Sequence, residues 1–91
     1  MEGKIGKVLI VDDDENICEV IKMYLENSGY DTRVCYSGKA AEETFNQYKP
    51  DLVLLDIMLP GVDGIDVLKW IRKQSETPVI MLTAKGETFD K

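Results

Sequence analysis

Hydrophobic and polar positions along this 91-residue chain change their period at regular intervals. Lys7-Val-Leu-Ile-Val11 is an unbroken apolar run rich in β-branched residues, the pattern of a strand buried on both faces. Ile17, Val20, Ile21, Tyr24 and Leu25 then recur at helical spacing, which predicts an amphipathic helix. Asp13 or Asp14 is placed to cap its start and Gly29 to end it. Asp31–Tyr36 alternates weakly, with Val34 and Tyr36 on one face and Arg33 and Cys35 on the other, and suits an edge strand. Ser37 can cap a second helix, whose Ala40, Ala41, Thr44, Phe45 and Tyr48 form one stripe. Pro50 ends that helix, and Leu52–Asp56 reads as a third strand. Gly64 leads into a third helix with Ile65, Val67, Leu68 and Ile71 facing inward, and Pro78 opens a fourth strand, Val79–Thr83.

The predicted rhythm is therefore βαβαβαβ. Right-handed crossovers would assemble it into one parallel sheet with helices on both faces, a doubly wound α/β fold. Val79-Ile-Met-Leu82 is apolar at every position, as expected for a strand inside a sheet. The remaining stretch, Ala84–Lys91, is polar and has no strand character. On this pattern the chain is expected to stop short of at least one strand and one helix.

Composition narrows the class. At 91 residues the expectation is a single domain, 1–91. Hydrophobic residues make up 44% and charged residues 31%, an ordinary globular balance. No apolar run reaches the roughly 20 residues of a membrane helix. The N-terminus has no apolar stretch of signal-peptide length, so a cytoplasmic location and no membrane partner are expected. A net charge of −6 argues against direct nucleic-acid binding, which needs clustered Lys and Arg. Cys18 and Cys35 lack metal or redox spacing and read as two small buried thiols.

The chemistry gathers at two strand ends. Asp12-Asp13-Asp14-Glu15 comes directly after the first strand, and Asp56 closes the third. Carboxyl ends of neighbouring parallel strands share one edge, so these acids are expected to meet there. Carboxylates in one crevice repel, and either raise one another's pKa or recruit a cation. That points to magnesium and phosphate chemistry.

Val11-Asp12-Asp13, Asp56-Ile-Met-Leu-Pro60-Gly61-Val-Asp63-Gly64 and Pro78-Val-Ile-Met-Leu-Thr83-Ala84-Lys85 together resemble the receiver domain of two-component response regulators, a flavodoxin-like fold. The likeness runs from about residue 5 onward, with motifs at the ends of strands one, three and four. It implies that Asp56 accepts a phosphoryl group from a phosphohistidine on a sensor histidine kinase or phosphotransfer protein. It implies that Asp12 and Asp13 hold Mg²⁺ together with Asp56 and the backbone carbonyl of Met58. Thr83 matches the hydroxyl residue that bonds the new phosphoryl oxygens, and Ala84 a small neighbour that leaves room. Such a module is a signalling phosphoacceptor and not an enzyme in the usual sense, although family members catalyse their own phosphorylation and dephosphorylation. Receiver domains carry a Lys after a fifth strand and an aromatic switch residue on it. Neither has a match here, and Lys85 is no substitute, so phosphorylation of residues 1–91 alone is expected to be inefficient.

Plainer readings stand beside these. Asp12 and Asp13 could simply favour a helix N-terminus, with Asp14 and Glu15 as first-turn residues. Thr83 could be an ordinary β-former, Asp63 a helix cap, and Trp70 a packing residue. Two other functions compete. A fragment with the receiver pattern could act only in folding or assembly. Under any of these readings, the exposed apolar edge of the fourth strand is expected to make the chain a homo-oligomer, by edge pairing or exchange of a terminal element. A phosphatase of the haloacid dehalogenase type would use Asp12 as nucleophile and Asp14 as acid, but that fold needs a longer chain.

Overall fold

A computed structural model describes residues 5–57, 59 and 63–82. Met58, Pro60, Gly61, Thr83, Ala84 and Lys85 lie outside the described residues. The elements are β1 (Lys7–Val11), α1 (Glu15–Asn27), β2 (Asp31–Cys35), α2 (Gly38–Tyr48), β3 (Leu52–Asp56), α3 (Gly64–Gln74) and β4 (Val79–Leu82). The four strands form one parallel sheet, as the pattern predicts, in the order β2-β1-β3-β4, the flavodoxin-like arrangement that the resemblance implies.

Strand alternation divides the interior into two layers. Leu9, Val11, Val53 and Leu55 point to one face, where they meet Ala41 and Phe45 of α2 and Val67 and Ile71 of α3. Val8 and Ile10 point to the other face, where Cys18 of α1 packs with Ile21, Leu25, Val34, Leu52 and Leu54 around it. β1 is buried on both sides, which is why it needs apolar residues at consecutive positions.

Local signals in the chain fix the joints. Asp14 caps α1 by accepting from the amides of Asn16 and Ile17 at 2.9 and 3.3 Å. That resolves the choice between Asp13 and Asp14. Gly29, at φ 99°, takes the left-handed conformation just beyond the end of α1. Ser37 caps α2 through the Ala40 amide, and Asp63 caps α3 through the Ile65 amide.

The inward faces differ from the expected ones in three places. Val20 and Tyr24 are 50% and 72% exposed, because α1 turns Cys18, Ile21 and Leu25 to the sheet instead. Ile65 is exposed because the buried side of α3 is centred on Val67 and Ile71. β4 is the outermost described strand on its side, and Ile80 is 52% exposed on the face away from α2 and α3, so the strand is not buried on both faces. Tyr36 lies beyond β2 and is exposed, whereas Cys35 is buried with the α2 and α3 layer. Trp70 is half-buried, edge-on to Phe45 with ring centroids 5.9 Å apart, in a packing role.

Candidate metal and phosphoryl site

The register brings the acids together. β1 pairs with β3 as far as Val11 opposite Leu55, and one step further along lie Asp12 and Asp56. This edge is also where chain order reverses, β2 lying on one side of β1 and β3 on the other. In open α/β sheets such a switch point leaves a crevice at the carboxyl ends of the strands.

Asp12, Asp13 and Asp56 each offer a carboxylate oxygen, and these oxygens all lie within 4.8 Å of one another. Asp12 and Asp56 are buried, at 3% and 0% exposure, whereas Asp13 is exposed. Two carboxylates taken out of water this close together cost free energy unless opposite charge reaches them. An all-oxygen set of three converging carboxylates suits a hard cation such as Mg²⁺.

The backbone around Asp12 is well fixed. Its amide donates to the Cys35 carbonyl at 3.1 Å, and one carboxylate oxygen accepts the Asp14 amide at 2.9 Å. Its carbonyl accepts the buried Cys18 thiol at 3.3 Å. Burial pushes the Cys18 pKa up to about 11, with the charges of Asp12, Asp14 and Asp13 adding to it, so the thiol is a protonated donor at neutral pH. Cys18 was not among the site residues expected from the sequence. Only the helical register of α1 measured from Asp12 could have flagged it. Cys35 is likewise a free buried thiol, on the opposite face of the sheet from Cys18.

Asp14 does not join the cluster, since its carboxylate caps α1. It therefore cannot serve as the acid that a haloacid dehalogenase mechanism would place beside Asp12. On the β3 side, the Gly64 amide donates to the Ile57 carbonyl at 2.8 Å, closing the loop after Asp56. Met58 and Thr83, the other expected site residues, lie outside the described residues.

Comparison with known proteins agrees with this geometry. Residues 8–91 match the family described as the response regulator receiver domain. Among solved structures, the BeF3-activated N-terminal receiver domain of Klebsiella pneumoniae RstA is 41% identical, with a TM-score of 0.83 over 89% of this chain and 69% of that one. The N-terminal domain of a response regulator receiver protein from Methanoculleus marisnigri is 40% identical, with a TM-score of 0.85 over 93% and 72%. The response regulator TrrA of Thermotoga maritima, solved in complex with Mg²⁺ and BeF, is 37% identical, with a TM-score of 0.82 over 90% and 72%. The chain thus spans roughly seven-tenths of the length of these relatives. Among the described residues, no helix is long and apolar enough to cross a membrane. With the acidic crevice at its switch point and the family match across nearly its whole length, this chain belongs to the receiver domains of response regulators.

Proposed function

We propose that the chain acts as one phosphoacceptor module, taking a phosphoryl group on Asp56 from the phosphohistidine of a sensor kinase or phosphotransfer protein. The observation that carries this reading is the convergence of the Asp12, Asp13 and Asp56 carboxylates at the carboxyl edge of β1 and β3. An Asp56 carboxylate oxygen attacks phosphorus, the new O–P bond forms, and the P–N bond to the imidazole breaks with its electron pair leaving on nitrogen. The product is an acyl phosphate.

Asp12 and Asp13, with Asp56 and the Met58 carbonyl, would hold Mg²⁺. When bound, the ion supplies charge neutralisation and a template for the transferred oxygens, the main needs of phosphoryl transfer. This chain's own part is positioning. β3 presents Asp56 at the edge, the β1–α1 turn presents Asp12 and Asp13, and Thr83 would bond the phosphoryl oxygens. A cytoplasmic sensor kinase or phosphotransfer protein would be its phosphodonor partner.

The test is incubation with acetyl phosphate and Mg²⁺, then mass mapping. The expected result is an acyl phosphate on Asp56, lost in Asp56→Asn and in the presence of a chelator. Phosphate mapped to Asp12, or uptake that survives Asp56→Asn, would overturn the assignment.

A further inference from the structure

Cys18 is the one fully buried side chain of α1, and its thiol points back at the turn that carries the acidic pair. The Sγ to Asp12 carbonyl distance of 3.3 Å is well inside the reach of a sulfur hydrogen bond. A peptide unit is rigid and planar, so the Asp12 carbonyl and the Asp13 amide turn together as one plate. Whatever holds that carbonyl also sets the direction in which the Asp13 Cα and carboxylate leave the turn. Asp12 itself has further anchors, through its amide to the Cys35 carbonyl and its carboxylate to the Asp14 amide.

We infer that Cys18 is a positioning residue of the acidic site, its thiol locking the Asp12–Asp13 peptide so that both carboxylates meet Asp56 around one ion. The inference rests on the metal-site reading of the acidic crevice. Mg²⁺ demands near-octahedral ligands, whereas Ca²⁺ accepts variable geometry. A loosened turn therefore weakens Mg²⁺ more than Ca²⁺, a signature that mere loss of stability does not produce.

The experiment is titration of the whole chain and its Cys18→Ala, Cys18→Val and Cys18→Ser variants with Mg²⁺ and Ca²⁺. Amide NMR signals of Asp13 are the readout, at a temperature where each variant is folded. Ala removes the donor and leaves a gap, Val removes it at similar volume, and Ser keeps a donor. Cys18→Ala and Cys18→Val are expected to lose roughly three- to tenfold in Mg²⁺ affinity, the scale of a weak hydrogen bond plus lost preorganisation, with a smaller loss for Ca²⁺. Cys18→Ser is expected to return to within about twofold of the parent. Wild-type Mg²⁺ affinity in folded Cys18→Val, or equal losses for both ions, would overturn the positioning role. If the parent chain itself shows no Mg²⁺ binding that Asp13→Asn weakens, the metal-site reading fails, and this inference with it.

Discussion

A methyl group on Gly64 would collide with the backbone carbonyl oxygen of Asp56. It would also fall 2.7 Å from the Ile57 carbonyl oxygen and 2.8 Å from the Ile57 Cα. The backbone at Gly64 is helical, so contact and not conformational freedom demands glycine here. The first turn of α3 leans directly on the peptide that carries the phosphoacceptor candidate.

Gly64→Ala must therefore push α3 away from the end of β3. The expected cost is about 1–3 kcal/mol of stability, the usual penalty of overpacking against backbone that cannot yield. Beryllofluoride or acetyl phosphate uptake should fall in the same variant. Denaturant unfolding and labelling yield measure the two effects, and a variant unchanged in both would mean that the loop relaxes freely.

Asp13→Asn is expected to weaken Mg²⁺ binding by at least about tenfold, since ligand charge sets affinity at such sites. Asp14→Asn should leave it within about twofold, because Asp14 serves α1 and Asn caps a helix about equally well. Titration monitored by Trp70 fluorescence or amide shifts separates the cases.

Tyr48 gives the fold an alkaline limit. Its hydroxyl is buried and closes no hydrogen bond among the described residues, although the Asp31 carboxylate is near enough to act on it. Burial first, and then the Asp31 charge, push its pKa from 10 up to about 12. A folded-state pKa above the unfolded one gives stability that is complete below pH 10 and is lost as pH rises toward 12. Tyr48→Phe should flatten that decline. At pH 8 it should stay within about 1 kcal/mol of the parent, since it removes a buried hydroxyl together with its weak link to the Asp31 carboxylate. Urea unfolding at a series of pH values from 8 to about 11 tests both effects.

The outer edge of β4 pairs with no strand among the described residues, and Ile80 beside it is half exposed. Purified residues 1–91 are expected to associate through this edge into a dimer or larger oligomer. Light scattering after size exclusion should show mass rising with concentration, and Ile80→Lys should suppress the rise. A monomer at every concentration would remove the edge as an interface.

The sequence was readable where one local rule acts alone. The cap at Ser37, the turn at Gly29 and the apolar runs of β1 and β3 each announce themselves through a single chemistry. Meeting of the acids at one edge was equally legible, because strand ends in a parallel sheet leave little choice. Helix faces were less so. Val20 and Tyr24 fit an apolar stripe as well as Cys18 does, and only packing against Val8 and Ile10 decides between them. The contacts of Cys18 with Asp12 and of Gly64 with Asp56 depend on distances that no spacing rule encodes.

The placement of β1 between β2 and β3 has a consequence for the order of events during synthesis. β1, α1 and β2 leave the ribosome first and can fold against one another with little loop to close. Asp12 and Asp13 then wait, beside a vacant strand position, until β3 arrives and closes the much longer loop through α2. The first half supplies Asp12 and Asp13 and the second supplies Asp56, so neither half alone brings the three carboxylates together. The three-carboxylate site is thus withheld from a nascent or partly unfolded chain and exists only in a molecule that has completed its central strand pairing, β1 with β3.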